Sequence, residues 1–178
     1  MKTPQVPIAI LSEGPEDLAR IDQINEAAFG RPDEAGLIRA LRQSDAWVPE
    51  LSLLAEAEGE AIGHILFSKI RIVGEESTWP SLALAPMAVL PDWQSKGVGS
   101  LLVKFGLELA FRQGFDSVIV LGHPEYYPRF GFAPASQWGI RCPFPAPDEA
   151  FMALELAEGG LSAKAGMVAY SAPFTEVG

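Results

Sequence analysis

One segment near the middle of the chain restricts the fold more than any other, because it joins a strand, a glycine loop and a helix. The sequence VLPDWQSKGVGSLLVKFG, residues 89–106, places Gly97 and Gly99 where a helix should begin. Apolar side chains from Val98 onward recur with a period of about 3.6 residues, and the apolar segment DSVIVLG, residues 116–122, follows. A strand, a helix and a strand in this order predict a right-handed crossover between two parallel strands.

The remaining segments supply strands and helices in an order that favours an α/β fold. VPIAIL is predicted to be a first strand, and the helical patterns at residues 12–29 and 33–45 follow it. A polar turn at residues 58–60 separates two strand-like runs, and EAFMALEL and GMVAYSA predict two further strands. We expect a mixed sheet of about seven strands with about four helices, in a single domain over residues 1–178.

Proline marks two irregular stretches. Pro86 interrupts the strand-like segment SLALAPMAVL, residues 81–90. Because proline cannot donate a hydrogen bond to a β-ladder, Pro86 predicts a bulge or a sheet edge. The proline-rich segment APASQWGIRCPFPAPD, residues 133–148, is expected to be an ordered surface loop.

Composition restricts the partners and the compartment. The formal net charge of -10 argues against nucleic acid and anionic membrane surfaces, which reward clusters of Lys and Arg. No segment approaches the roughly 20 apolar residues of a membrane span. Cys142 is the only cysteine, so an intrachain disulfide and a cysteine metal cluster are excluded, and we predict a cytoplasmic protein without a metal site.

The glycine loop is predicted to bind an anion. Amides at a helix start lack intrahelical partners and lie at the positive end of the helix dipole, and the missing side chains let a phosphate approach the backbone. A dinucleotide-binding loop would need a third glycine where Leu102 stands, and a phosphate-binding P-loop would need Gly-Lys-Ser or Gly-Lys-Thr. Neither motif fits, which disfavours a nucleotide-binding oxidoreductase.

Two motifs then carry a resemblance to a known family. QSKGVG, residues 94–99, preceded by LAPMAVLPDW and followed by SLLVKFGLELA, resembles the acetyl-CoA signature of the Gcn5-related N-acetyltransferases, or GNAT family. The later VLGHPEYYPRFGF resembles the second signature of that family. The combination is most similar to the YhbS-like branch and covers residues 81–132.

The resemblance implies a GNAT-type sheet that is splayed at its centre, with acetyl-CoA as co-substrate. The pantetheine arm would pair with the splayed strand, the pyrophosphate would lie on the loop amides, and the thioester carbonyl would point to the amide of Val89 or of Ala88. The residues expected to bind acetyl-CoA are Met87, Ala88, Val89, Gln94, Ser95, Lys96, Gly97, Val98, Gly99 and Ser100.

The catalytic residues follow from the same resemblance. Tyr127, five residues before Phe132, matches the family's usual proton donor to the leaving thiolate, and Tyr126 is the alternative. Helical geometry would point the two side chains in different directions, and Pro128 predicts a short helix there. The signature strand contains no acid, so the general base stays open among Glu56, His64, Ser68 and His123, with loss of the proton to bulk water as the alternative. A lone histidine on a half-apolar strand is more typically structural.

The sequence therefore predicts an acyl-CoA-dependent N-acyltransferase that moves acetyl from acetyl-CoA to a primary amine by direct attack in a ternary complex. The missing acid keeps an alternative open, a catalytically inactive acyl-CoA-binding sensor. The acceptor amine is not identified, although large aromatic side chains are candidates for its pocket: Trp79, Trp93, Trp138 and Phe144. Strands near the C-terminus leave a homodimer open.

Overall fold

The computed structural model describes residues 6–176 of the chain. Its strands are β1 (Ala9–Ser12), β2 (Ser52–Ala57), β3 (Glu60–Val73), β4 (Thr78–Val89), β5 (Ser117–Leu121), β6 (Ala133–Pro134), β7 (Ile140–Arg141), β8 (Phe151–Glu155) and β9 (Gly166–Ala169). Its α-helices are α1 (Leu18–Phe29), α2 (Asp33–Arg42), α3 (Val98–Arg112) and α4 (Ala172–Glu176).

All the described strands belong to one mixed sheet, whose main order is β1-β2-β3-β4-β5-β8-β6. Strand β9 lies beside β3 on one side and β7 on the other. The β4–β5 and β7–β9 pairs are parallel and the other pairs are antiparallel. The predicted strand–helix–strand unit is therefore confirmed as β4, α3 and β5, and the mixed α/β class is confirmed with it.

The expected number of strands was too low. The sheet has nine strands within residues 6–176, and the two that the sequence missed, β6 and β7, lie in the proline-rich segment expected to be a loop. Each is two residues long, which is too short for an alternating pattern to reveal. Strands β8 and β9 both use their two edges within the chain, so neither needs a partner chain to complete its pairing.

Pro86 lies at a bulge in β4. Of the two alternatives that the sequence left open, a bulge or a sheet edge, the bulge is confirmed. Ile65 of β3 faces Met87, whereas Phe67 faces Leu84, so two residues of β4 lie opposite the single residue Leu66. A bulge of this kind bends the strand and increases its twist. The bend falls just after the two residues of β4 that pair with β5.

Beyond the bulge, β4 and β5 separate. Their parallel ladder contains only the pairs Leu82 with Val118 and Ala83 with Ile119, although β4 continues to Val89 and β5 to Leu121. The splayed centre that the resemblance implied is therefore present. We call the space between the two diverging ends the gap.

The two faces of the sheet are covered by different elements. Leu102 and Val103 of α3 pack against one face, where Phe67 is fully buried. Helices α1 and α2 cover part of the other face, where Ile21 and Leu41 pack. No helix of the described residues is long and apolar enough to cross a membrane.

Candidate active site

The end of β4 presents backbone groups to the gap. The Leu90 N–H donates to the Ile62 carbonyl at 2.9 Å, and Val89 and Ala88 face Gly63 and His64 in the same register. Hydrogen-bonded and non-hydrogen-bonded pairs alternate along an antiparallel ladder, so Ala88 directs its N–H toward β3 while Val89 directs its N–H into the gap. The geometry thus distinguishes the two amides that the sequence left open.

Gln94 ties the glycine loop to this strand end. Its side-chain Nε2 donates to the Val89 carbonyl at 3.0 Å, and its backbone N–H donates to the Pro91 carbonyl at 3.3 Å. Both contacts are internal to the protein. Gln94 therefore shapes the loop and leaves the Val89 N–H directed into the gap.

Glycine is required at the two loop positions for different structural reasons. Gly97 has a φ of 85° and lies at the N-cap of α3, a left-handed conformation that glycine adopts without a steric penalty. Gly99 lies in the first turn, where an added Cβ would be 3.0 Å from the hydroxyl oxygen of Tyr126. Both glycines are predicted to clear space for a phosphate, but the left-handed backbone also requires glycine at position 97, and the Tyr126 hydroxyl restricts the side chain at position 99.

The first turn of α3 has free backbone donors. The Leu101 N–H donates to the Gly97 carbonyl at 3.1 Å, so the helical hydrogen bonds begin there. The N–H groups of Val98, Gly99 and Ser100 precede that bond and have no intrahelical acceptor. They lie at the positive end of the helix dipole, which favours an anion.

A groove of about 300 Å³ joins the strand end to the loop. Its lining consists of Met87, Val89, Trp93, Gln94, Ser95, Gly97, Val98, Gly99, Ser100, Tyr126 and Arg129. Of the residues predicted to bind the co-substrate, Ala88 and Lys96 are outside the lining. Ala88 is buried toward α1, and the Lys96 amino group lies over the Trp93 ring, 5.5 Å from its centroid.

Sequence reasoning missed three lining residues as binding residues: Trp93, Tyr126 and Arg129. A signal was present for two of them, because Tyr126 and Arg129 are three residues apart in the second signature and so share a side of any helical turn. The motif by itself predicts only a proton donor. Trp93 is predicted from the sequence only as a wall of the acceptor pocket.

The adjacent tyrosines point to different surroundings, as helical geometry predicted. Their rings are nearly perpendicular, at 85° with centroids 5.1 Å apart. The Tyr126 hydroxyl lies 3.2 Å from Ser100 Oγ, over the start of α3. The Tyr127 ring packs against Gly122, just past β5, and against Phe132. Tyr127 thus lies beside the end of β5 and Tyr126 beside the glycine loop.

Tyr127 is buried at the first position of a short 3-10 helix, Tyr127–Phe130. The short helix agrees with the expectation from Pro128. Burial, with a smaller contribution from the neighbouring Tyr126, raises the pKa of Tyr127 to about 12. The phenol therefore keeps its proton throughout the physiological pH range.

His64 lies in a buried polar cluster on the α1 face of the sheet. Its Nε2 is 2.9 Å from Ser52 Oγ, and its Nδ1 is 3.4 Å from Asn25 Nδ2. Burial, with the charge of Arg42 as a smaller cause, lowers the pKa of His64 to about 3. A histidine that stays neutral at pH 7 and is bonded on both nitrogens has a structural role, which the sequence analysis favoured for it.

The other candidate bases lie in separate places. Glu56 lies on β2 and forms a salt bridge with Arg20 of α1. Ser68 is fully buried. His123 is exposed and lies two residues beyond the end of β5, and its carbonyl accepts hydrogen bonds from the N–H groups of Tyr126 and Tyr127. Of these four residues, His123 is therefore the one that the chain places next to the tyrosines.

The proposed acceptor aromatics also separate. Trp79 and Trp138 pack against buried side chains of β3, β5 and β8 on the face of the sheet away from α3. Phe144 stacks on Tyr170, with centroids 5.3 Å apart, while Trp93 lines the groove. The structure does not bring these four side chains together into one pocket.

Comparison with known proteins places this arrangement in a family. Residues 18–132 match the model of the acetyltransferase (GNAT) family. The uncharacterised N-acetyltransferase YjhQ of Escherichia coli is 42% identical over 134 residues, which cover 75% of this chain and 74% of YjhQ. The uncharacterised N-acetyltransferase YhbS of the same organism is 33% identical over 162 residues, or 91% of this chain and 95% of YhbS.

Solved structures agree over nearly the whole chain. E. coli YhbS in complex with CoA has a TM-score of 0.89 at 31% identity, covering 100% of this chain and 97% of that one. A GNAT acetyltransferase from Brucella melitensis in complex with acetyl-CoA has a TM-score of 0.76 at 34% identity, covering 96% and 99%. The resemblance that two short motifs indicated is confirmed, and the chain belongs to the GNAT family of acetyltransferases.

Proposed function

We propose that this protein transfers the acetyl group of acetyl-CoA to a primary amine by direct attack within a ternary complex. The observation that carries the proposal is the groove, in which the unpaired end of β4 adjoins the free amides of α3. A free strand edge pairs with an extended amide-bearing arm, and a helix start binds phosphate. The donor groups therefore fit both parts of CoA, and the CoA-bound neighbours support the fit.

Val89 is proposed to stabilise charge on the thioester oxygen. Its N–H is directed into the gap, where no β5 partner follows Ile119. A fixed backbone donor aimed at a developing oxyanion is a large source of transition-state stabilisation. The bond from Gln94 to the Val89 carbonyl holds the strand end in this orientation.

Tyr127 is proposed to assist the departing sulfur. The amine nitrogen bonds to the carbonyl carbon, the carbon–sulfur bond breaks, and its electron pair goes to sulfur. Because the pKa of Tyr127 is about 12 and that of a thiol is about 8.5, complete proton transfer is uphill. Tyr127 thus donates a hydrogen bond as the sulfur leaves, and solvent completes the protonation of the thiolate.

The attacking amine must be neutral and must lose a proton after it attacks. His123 is proposed to receive that proton, directly or through water, because it is exposed beside the end of β5. His64 is excluded from this role by its low pKa and its internal bonds. Bulk water is the alternative acceptor.

An acceptor screen tests the proposal. Acetyl-CoA is incubated with a panel of primary amines, and free thiol is measured; release that depends on one class of amine supports the transferase. The fold should be stabilised by acetyl-CoA at ~100 times its dissociation constant by about 2.7 kcal/mol. Binding without thiol release from any amine would instead favour the sensor alternative, and absence of both would overturn the proposal.

Three further expectations stay predictions. We propose that residues 1–178 act as one domain, which the single sheet through the described residues supports. A cytoplasmic location rests on the lone cysteine. A homodimer also stays a prediction; because β8 and β9 pair within the chain, it would have to form through another surface.

A further inference from the structure

Arg129 stands out in the groove by its charge. Among the described residues that line the groove, it is the only one with a charged side chain. The chain as a whole carries a net charge of -10, which repels an anionic ligand at long range. A cation placed beside the free amides of α3 offsets this repulsion locally.

The guanidinium of Arg129 is held in place by Tyr126. It lies over the Tyr126 ring, 4.4 Å from the centroid, and its Nε donates to the Tyr126 carbonyl at 2.9 Å. These contacts use one face of the guanidinium and one of its five N–H donors. The two terminal amino groups keep the planar fork that binds phosphate in a bidentate manner.

Tyr126 is in turn tethered to the glycine loop. Its hydroxyl lies 3.2 Å from Ser100 Oγ in the first turn of α3, where the free amides are. The ring of Tyr126 thus spans from the helix start to the guanidinium. Only the Tyr126 side chain therefore separates Arg129 from the predicted pyrophosphate position.

We propose that Arg129, stacked on Tyr126, binds the pyrophosphate of CoA opposite the amides of Val98, Gly99 and Ser100. The assignment rests on the proposed function, because it presumes that the groove holds CoA. It divides the tyrosine pair: Tyr126 supports the phosphate-binding cation, and Tyr127 faces the reacting atoms. Lys96 lies outside the lining, over Trp93, and has the smaller part in the affinity.

Binding measurements with CoA fragments test this assignment independently of turnover. Dissociation constants are measured by calorimetry for CoA and for dephospho-CoA, which lacks the 3′-phosphate, and by ligand-observed NMR for pantetheine, which lacks all phosphates. Arg129→Ala should weaken CoA and dephospho-CoA equally, by about 10-fold, the scale of one charge-assisted contact at an exposed site. Affinity for pantetheine should not change.

Two control variants separate the contact from net charge. Arg112→Ala removes the same charge from the far end of α3, ~20 Å along the helix, where Arg112 pairs with Glu108; its CoA affinity should stay near wild type. Arg129→Lys keeps the charge but loses the planar fork and should recover only part of the affinity. Arg129→Ala and Tyr126→Ala should be less than additive in a double-mutant cycle, because each removes the same stacked pair.

The outcomes separate the two proposals. If the wild-type protein binds CoA and Arg129→Ala binds it equally well, the assignment is overturned and the proposed function stands. If Arg129→Ala weakens CoA but not dephospho-CoA, the residue contacts the 3′-phosphate and the pyrophosphate assignment is overturned. Absence of CoA binding by the wild-type protein would overturn the proposed function and this assignment with it.

Discussion

Two polar clusters flank the end of β4, and they differ in where their polar atoms find partners. In the buried cluster, His64 lies next to Ser52 and Asn25, and both of its ring nitrogens are bonded. In the groove, the amides of Val98, Gly99 and Ser100 have no intrahelical acceptor. His64 faces Ala88 across the β3–β4 ladder, and Val89 is the next residue of β4. The two clusters are therefore adjacent along β4 but lie on different sides of this strand.

The difference shows that residue type alone does not indicate function. Histidine is the side chain most readily used for proton transfer at neutral pH, yet burial makes His64 neutral and internal bonds occupy it. Backbone amides and two glycines have no side-chain chemistry, yet their free N–H groups are the reason that we propose the groove as the binding site. Unused hydrogen-bonding capacity beside open space is therefore the better indicator in this molecule.

The largest expected effect comes from filling the groove. Gly99→Val should weaken acetyl-CoA binding by more than 100-fold, because a Cβ at this position already lies 3.0 Å from the Tyr126 hydroxyl and a branched side chain occupies the space above the free amides. The dissociation constant is measured by calorimetry, and folding by thermal unfolding.

Gly36→Val supplies the matched control for this change. Gly36 also lies in a helix, α2, and a Cβ there would meet no heavy atom within 4 Å. Valine has a slightly higher helix propensity than glycine, so neither exchange should cost stability through helix propensity, but only Gly99→Val should lose affinity. Equal affinities for the two variants would contradict the phosphate-binding role of the loop.

The second prediction concerns the division between the tyrosines. Tyr127→Phe should lower kcat by about 100-fold while acetyl-CoA affinity stays near wild type, because the ring that packs against Phe132 remains and only a positioned donor is lost. Tyr126→Phe should mainly change affinity, through the lost contact with Ser100. Steady-state kinetics and calorimetry on both variants check this pair, and the reverse pattern would show that Tyr126 assists the sulfur.

Much of the fold follows from local patterns in the sequence. The β4–α3–β5 unit is readable because α3 keeps an apolar stripe and Gly114 lies just past its end, with a φ of 92°. The β2–β3 hairpin is readable from its polar turn. Strands β6 and β7 are not, because their pairing depends on β8 and β9, which are distant in sequence and set no local period.

The site divides in the same way. The loop residues can be proposed from the sequence, because a helix start that binds phosphate needs a local arrangement of glycines. The alternation that directs Val89 rather than Ala88 into the gap depends on the register with β3, and the position of Arg129 depends on the Tyr126 ring. Both are set by contacts across elements, so no motif specifies them.

The third prediction tests the buried cluster through the pH dependence of stability. The pKa of His64 is about 3 in the folded state and ~6.5 in the unfolded chain, so between these pH values only the unfolded chain binds the proton. Stability from this source is present above pH ~6.5 and falls as the pH decreases toward 3. The loss should reach about 2 kcal/mol at pH 5.

Urea unfolding of the wild type and His64→Gln at pH 7 and pH 5 measures this contribution. The variant lacks the titrating group but keeps a polar side chain, so its free energy of unfolding should fall by less over this interval, while all other residues are the same in both proteins. If the free energy of unfolding changed equally with pH in both proteins, His64 would not be the neutral, buried side chain that the structure shows. CoA affinity, where the variant folds, should not depend on this residue.

The smallest expected effect concerns Gln94, which connects the loop to the strand end. Gln94→Ala removes the bond to the Val89 carbonyl, an exposed contact worth about 0.5 to 1 kcal/mol, so acetyl-CoA affinity should fall about 2-fold to 5-fold. Gln113→Ala, which truncates an exposed glutamine at the other end of α3, is the control and should bind like the wild type. If the bond also orients the Val89 N–H toward the thioester oxygen, Gln94→Ala should lower kcat as well as affinity, since that donor acts in the transition state. A raised KM with unchanged kcat would instead confine Gln94 to shaping the loop, and unchanged values of both would show that the loop keeps its place without it.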